Sequence, residues 1–158
     1  RWTAGAASRH KRGMKETIVA GSKPETGKVL NVPPSGGRRY DMGGMTSYFL
    51  ADEAETESRY SISEWWLEPQ ENGPGPHSHE NEDDIFFVLE GTVTFILDGE
   101  EIEAPKGSFL RVPVGVTHDF ANRTAARAGF LNIFIPGGFE RDMPAIVQWF
   151  ADNPPSKE

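Results

Sequence analysis

The chain has 158 residues, a formal net charge of −8 and no cysteine. This length suits a single domain with one sizeable core. The negative charge argues against nucleic acid or an anionic membrane as a partner. The lack of cysteine excludes disulfides, thiolate metal sites and cysteine nucleophiles, and it fits a cytoplasmic protein, which we predict. No apolar run approaches the ~18 residues that a membrane span needs.

The first 13 residues, RWTAGAASRHKRG, are basic and contain no acidic residue. They lack the apolar core of a secretory signal, so no such signal is predicted. One interpretation is a basic arm for an anionic partner, and the preferred one is a flexible terminus. We therefore expect residues 1–13 to form a flexible basic arm and residues 14–158 to form a single domain.

Strand-like segments separated by Gly and Pro dominate the rest of the chain. They cover residues 28–32, 45–50, 59–68, 85–90, 92–98, 100–104, 108–112, 117–122 and 129–135. Many short strands at this spacing predict an all-β sandwich or barrel. The sequence DGE at 98–100 predicts a tight hairpin between two of them.

The strand that begins near Asp84 is apolar on both faces. One face carries Asp84, Phe86 and Val88, and the other carries Ile85, Phe87 and Leu89. Neither face is therefore expected to meet bulk water. We expect one face to line a barrel interior and the other to be covered by a second layer or by a partner subunit.

The chain ends in a segment with helical periodicity. Met143, Ile146, Val147 and Phe150 recur at i, i+3, i+4 and i+7, which predicts an amphipathic helix. Pro144 suits its first turn and the prolines at 154 and 155 end it. We expect this short helix to pack its apolar face on the barrel, and the sequence assigns it no further role.

Three of the four histidines fall in two short stretches. His77 and His79 are two residues apart, so an extended segment presents both on one face. Asp84 follows at the head of the next strand, and His118 begins a later one. A barrel can bring these strands side by side, so His77, His79, Asp84 and His118 are the candidate ligands of a metal ion.

This ligand set suits a divalent transition metal without choosing between Fe, Mn, Ni, Co, Cu and Zn. Three imidazoles and one carboxylate leave coordination positions open for a substrate or dioxygen. The competing interpretation is that His77 and His79 are surface residues of a polar loop. Glu80, Glu82 and Asp83 are interpreted as a solvated charge run.

The same two stretches resemble the paired motifs of the cupin superfamily. Gly107, Pro113, Gly115, His118 and Asn122 stand at the spacing of that family's second motif. The first motif is matched by His77, His79 and Gly91, with two departures. Glu71 stands where the family has a glycine, although glycines follow at 73 and 75, and Asp84 stands where it usually has a glutamate.

The resemblance implies a double-stranded β-helix, which is a jelly-roll-like barrel, with one metal ion inside near one mouth of each subunit. Cupins are frequently dimers, so a homodimer is expected. Aspartate reaches roughly 1.5 Å less than glutamate, by one C–C bond. Asp84 could still ligate, or the site could use three histidines and water. Asp83 and Glu82 are rival ligands, and Asp84 is preferred.

The function is predicted from the metal set, because the fold alone hosts many activities. The preferred hypothesis is a metal-dependent dioxygenase that acts on a small phenolic or enolic, flavonol-like substrate. In quercetinase-like cupins the ligand carboxylate is thought to accept the substrate proton, and here only Asp84 could do so. One alternative is an isomerase, cyclase or lyase acting on a sugar or polyketide-like molecule, and another is a non-catalytic small-molecule binder.

The substrate pocket is predicted to be apolar and aromatic. Phe86 and Val88 share the face of Asp84, and Phe120 shares that of His118. Trp65 and Trp66 lie on opposite faces of one strand, and we select Trp66 as a further wall. Tyr48 and Tyr60 complete the candidates, as groups able to take part in proton transfer. Each of these residues could instead be plain barrel core.

Overall fold

The computed structural model describes residues 28–155, and the predicted arm at residues 1–13 lies outside that range. Nine strands and three helical segments make up the described part of the chain. The strands are β1 (Arg38–Asp41), β2 (Met45–Ala51), β3 (Ser61–Leu67), β4 (Asp83–Glu90), β5 (Thr92–Leu97), β6 (Glu100–Pro105), β7 (Phe109–Val112), β8 (His118–Ala121) and β9 (Ala128–Ile135). The helical segments are α1 (Glu53–Thr56), a 3₁₀ helix (Phe139–Asp142) and α2 (Met143–Asp152).

The strands form two antiparallel sheets. The larger sheet has the order β1-β2-β3-β9-β4-β7, and the smaller has the order β6-β5-β8. The predicted all-β architecture with a short C-terminal helix is therefore confirmed. The hairpin at 98–100 is also present, since Asp98 and Gly99 both have positive φ angles, as a two-residue turn between twisted strands requires.

One predicted strand is wrong and one strand was missed. Residues 28–32 have no strand structure, and Val29 is 88% exposed. This segment has alternating apolar residues, but no neighbouring strand pairs with it. The first strand of the large sheet is β1 instead, whose sequence RRYD carries too few apolar residues to be recognised by pattern.

The core between the sheets is built from phenylalanine rings. Phe86 of β4 contacts Phe95 and Phe130, with ring centroids 4.9 and 5.3 Å apart, and Phe120 contacts Phe130 at 4.9 Å. Each of these side chains is at most 5% exposed. Burying a phenylalanine contributes about 1.5–3 kcal/mol, so this cluster fixes the strands that carry Asp84 and His118.

The outer face of the large sheet is only half-covered. Phe87 pairs with Phe109 and Leu131 across the sheet and is 42% exposed, and Phe109 is 66% exposed. The expected cover by a second layer is therefore lacking over Phe87 in the described structure. We propose that a second copy of the chain covers this face.

Replacing Phe87 with glutamate is expected to convert a homodimer into monomers, because a charge at the centre of a shared apolar face must be desolvated. Light scattering after size exclusion would measure the fall in molar mass from that of two chains to that of one chain of 17.5 kDa. Ile102→Glu is the control, since Ile102 is similarly exposed but lies on β6 of the other sheet. A wild-type chain that runs as a monomer would overturn the homodimer.

Candidate metal centre

A pair of backbone hydrogen bonds brings the two histidine stretches together. The His77 amide donates to the His118 carbonyl at 3.0 Å, and the His118 amide donates to the His77 carbonyl at 2.8 Å. The Gly115 amide also donates to the carbonyl of His79. The loop before β4 is thus held against the start of β8, and the rings of His77 and His118 lie 4.4 Å apart.

Glycines let that loop approach β8 closely. A Cβ atom at Gly73 would lie 1.8 Å from the carbonyl oxygen of Phe120, and Gly75 has a φ angle of +91°. These two positions therefore need glycine. Glu71, which replaces the expected glycine, accepts a backbone hydrogen bond from Asn122 instead.

Asn122, the last residue of the second motif, follows the end of β8. Its buried amide nitrogen donates to the carbonyls of Leu67, Glu68 and Ala126, and its oxygen accepts from Thr124. The second-motif asparagine therefore ties the end of β3 to the loop after β8. This role is structural, because its polar atoms are all engaged by neighbouring chain atoms.

All four predicted ligands meet in one cluster. One ligand atom from each of His77, His79, Asp84 and His118 lies within 4.8 Å of the others. Asp84 Oδ2 is 2.9 Å from His118 Nε2 and 3.5 Å from His79 Nε2. Two ligands about 2.1 Å from one ion and at right angles are about 3.0 Å apart, so these separations suit a shared ion.

Second hydrogen bonds fix which nitrogen each histidine turns inward. His77 Nδ1 lies 2.8 Å from the Gly75 carbonyl oxygen, and His118 Nδ1 lies 2.9 Å from that of Val116. A carbonyl can only accept, so each Nδ1 carries the proton and donates it. Each Nε2 then points into the cluster, which is the arrangement of metal-binding histidines.

The electrostatics of the cluster also suit a cation. Burial lowers the pKa of His77, aided by the two neighbouring imidazoles, so this ring is neutral and able to ligate at neutral pH. Burial also works against a charge on His118, but the hydrogen bonds with Asp84 and Val116 and the nearby negative charges together outweigh it and raise the pKa of His118. His79 Nε2 is buried and has no hydrogen-bond partner. A cation in the cluster would satisfy all three groups.

Asp84, and not Asp83, faces the histidines. Asp84 is 2% exposed, whereas Asp83 is on the opposite face of β4 and half-buried. Asn132 of β9 donates a hydrogen bond from Nδ2 to Asp84 Oδ1, and another to the Ile85 carbonyl. The amide thus holds one carboxylate oxygen, and Oδ2 is left to face His79 and His118.

Asn132 was not among the sequence-predicted residues. It is buried between Phe130 and Phe134 on the inward face of β9. A polar residue at an inward position of an apolar strand needs a buried partner. That alternation was the signal that could have identified it.

An apolar cavity of about 280 Å³ opens at the cluster. His77, His79 and Asp84 line it, and the rest of its lining is mostly aromatic and aliphatic: Trp65, Pro74, Ser78, Phe86, Phe120, Asn132, Phe134, Phe139, Ile146 and Phe150. His79 touches this lining through Phe134 and Phe139, at ring separations of 4.9 and 5.9 Å. The volume lies near the lower end of ligand pockets, which run from about 300 to 1,000 Å³.

Four of the six predicted pocket residues lie elsewhere. Val88 shares the face of Asp84 but is packed in the core, and Tyr60 is 40% exposed ahead of β3. Tyr48 lies on the outward face of β2. Trp66 points outward too, where it covers Gly129 and stacks with Arg127 at 4.5 Å. Trp65 takes the wall position assigned to Trp66.

Comparison with known proteins finds a family match over part of the chain. Residues 63–134 match the family profile described as a cupin domain, and this range contains all four clustered residues. This segment of the chain is a cupin domain.

A curated relative and several solved structures share this likeness. Quercetin 2,3-dioxygenase of Bacillus subtilis is 34% identical over 64 residues, which is 40% of this chain and 19% of the relative. The polyketide cyclase RemF from Streptomyces resistomycificus superimposes with a TM-score of 0.61 at 22% identity, over 68% of this chain and 80% of that one. KdgF from Halomonas sp. gives 0.58 at 19% identity, over 66% and 90%. These structural likenesses concern the fold.

Proposed function

We propose that this chain is a metal-dependent dioxygenase acting on a small, planar phenolic or enolic substrate. The observation that carries the proposal is a four-ligand cluster that opens directly into an aromatic cavity. The partial likeness to a quercetin 2,3-dioxygenase supports the same activity, although the matched segment spans only about a fifth of that relative.

The proposed ligands of one divalent transition metal are the Nε2 atoms of His77, His79 and His118 and the Oδ2 atom of Asp84. When bound, such an ion acts as a Lewis acid that lowers the pKa of a coordinated hydroxyl. Among the described residues, Asp84 is the only carboxylate that lines the cavity. We assign to the Asp84 carboxylate the role of accepting the substrate hydroxyl proton, while Asn132 holds its Oδ1 atom in place.

The remaining walls orient the substrate and exclude water. The rings of Phe86, Phe120 and Phe134 offer flat apolar surfaces, which suit an aromatic ring system. Trp65 is held by a hydrogen bond from Nε1 to Ser63 Oγ at 2.9 Å, so it is a fixed wall and not a proton donor. Exclusion of water strengthens the electrostatic influence of the Asp84 charge on the bound hydroxyl.

The same lining argues against a sugar or sugar phosphate. Among the described residues that line the cavity there is no lysine or arginine, and Ser78 and Asn132 are its main polar groups outside the ligand set. The hydroxyls of a sugar would lose water without gaining enough partners. A metal-dependent cyclase or lyase acting on a polyketide-like molecule stays as the second candidate, because such a substrate is also planar and apolar.

Oxygen consumption tests the proposal. Protein loaded separately with Fe(II), Mn(II), Co(II) and Ni(II) is expected to consume oxygen when 3-hydroxyflavone is added, with at least one of these metals. The His118→Ala variant, treated identically, is the control for reaction in free solution.

The alternatives give different results in the same experiment. Loss of substrate without oxygen uptake would favour the cyclase or lyase class. Tight binding of 3-hydroxyflavone that survives removal of the metal, with no turnover, would favour a non-catalytic binder. Flat oxygen traces with every metal would overturn the dioxygenase.

A further inference from the structure

Part of the cavity wall comes from outside the matched cupin domain. Phe139, Ile146 and Phe150 line the cavity, but they follow residue 134, where the family match ends. They belong to the 3₁₀ helix and to α2, which we call the C-terminal cap (residues 139–152). The cap closes the side of the cavity that the barrel strands leave open.

A buried carboxylate holds the start of the cap. Asp52 is 2% exposed, and its two oxygens accept hydrogen bonds from the amides of Gly138 at 2.6 Å and Glu140 at 2.7 Å. A Cβ atom at Gly137 would lie 2.7 Å from the Tyr60 carbonyl oxygen, so the chain passes close to β3 there. The entry to the cap is thus fixed by residues that precede the matched domain.

An ion-pair network reinforces this attachment. Glu140 accepts hydrogen bonds from Arg38 at 2.6 Å and from the Tyr40 hydroxyl at 2.8 Å. Arg38 also contacts Glu55 at 2.6 Å. The hydrogen bond and charge of Glu140, against the cost of burial, raise the pKa of Arg38, so its guanidinium stays charged. The network joins β1 and α1 to the cap.

Phe139 is locked as the inner wall. Its ring stacks on Phe134 at 4.3 Å with an interplanar angle of 13°, and on Phe49 at 6.4 Å and 9°. A ring packed against two others has less freedom to move aside for a substrate. The adjustable part of the cap is therefore α2.

Ile146 and Phe150 lie one turn apart on the same face of α2 and are half-buried against the core. Two of the clustered histidines and these two side chains contribute to one lining, which joins barrel and cap. A planar molecule with its polar end at the cluster extends its apolar end against the cap. Side-chain volume at 146 and 150 therefore limits the length of that molecule.

We propose that Ile146 and Phe150 are the specificity-determining residues of this cavity, which select planar substrates by their apolar length. The proposal rests on the proposed function in one respect, namely that the polar end of the substrate binds the metal centre. It gives a functional role to a helix that the sequence pattern predicted only as packing.

The test uses three probes with the same hydroxy-ketone group and increasing apolar length: maltol, 3-hydroxychromone and 3-hydroxyflavone. The full chain is loaded with Zn(II), which has no redox chemistry, so that binding is measured without turnover. Calorimetric affinities are compared for wild type, Ile146→Trp and Phe150→Ala. Trp149→Ala is the matched control, because Trp149 is on the same helix but is 53% exposed and outside the lining.

Ile146→Trp is expected to weaken the affinity for 3-hydroxyflavone about tenfold or more, because the added side-chain volume shortens the cavity. The affinity for maltol is expected to change by less than about twofold. Phe150→Ala is expected to weaken the affinity for 3-hydroxyflavone, because apolar contact is lost, and to leave the affinity for maltol nearly unchanged. Trp149→Ala should behave as wild type. The milder Ile146→Val and Phe150→Leu replace any variant that fails to fold, with smaller shifts in the same selective direction.

Equal changes for all three probes, or unchanged 3-hydroxyflavone affinity in both variants, would overturn the role of the cap. Absence of probe binding to wild type would overturn it as well. Length-selective binding without oxygen consumption by the Fe, Mn, Co or Ni forms would leave the role of the cap standing and would count against the dioxygenase alone.

Discussion

Replacing His118 with alanine is expected to abolish stoichiometric metal binding. The His118 side chain is 1% exposed, and its Nε2 lies 2.9 Å from Asp84 Oδ2 at the centre of the cluster. Loss of a residue that merely orients a ligand costs about 10- to 100-fold in affinity, so loss of a ligand should cost more. His77→Ala should have the same effect, since its Nε2 is aimed at the cluster from the opposite strand segment.

Elemental analysis of the purified chains measures this directly. His10→Ala is the matched control, because His10 is the one histidine outside the two motifs. Wild type and His10→Ala are expected to carry about one ion per chain. Equal metal content in wild type, His77→Ala and His118→Ala would contradict the proposed centre.

Asp84→Asn is expected to have the second largest effect. It keeps the volume of the side chain but removes the negative charge that faces His79 and His118, so metal affinity should fall by about 10- to 100-fold or more. Oxygen uptake should fall further than metal occupancy, because the single carboxylate among the described residues of the cavity lining is also removed. Metal titration followed by oxygen measurement at saturating metal separates the two effects.

Asp83→Asn is the control for charge, since Asp83 is adjacent in β4 and faces away from the cluster. Asp84→Glu tests length: Asp84 Oδ2 already lies at hydrogen-bond distance from His118, so a longer side chain must bend or displace a histidine. We expect Asp84→Glu to bind metal more weakly than wild type and more tightly than Asp84→Asn. Equal affinities for Asp84→Asn and Asp83→Asn would exclude Asp84 as a ligand.

The sequence was sufficient to select the four residues that cluster in the structure, with Asp84 preferred over Asp83 and Glu82, because that information is local. The two-residue spacing of His77 and His79, the position of Asp84 at a strand start and the spacing around His118 all survive in the structure. The strand pattern and the helical period at 143–150 likewise express contacts between near neighbours in the chain. The sequence also showed that aspartate replaces glutamate at position 84. It did not show whether the shorter side chain reaches the cluster.

The tertiary structure alone decided the surroundings of the site. Strand alternation shows that Trp65 and Trp66 face opposite ways, but not which face is inward, and only the pairing of β3 with β9 settled it. Val88 lies on the same strand face as Asp84, but it is packed in the core and does not line the cavity. Strand alternation indicates which face a residue occupies and not its distance from the cavity. Asn132 and the C-terminal cap reach Asp84 and the cavity across sequence separations of 48 residues and more. The sequence by itself determined which residues gather at the metal centre, and the fold determined what walls surround it, because those walls meet only through long-range packing.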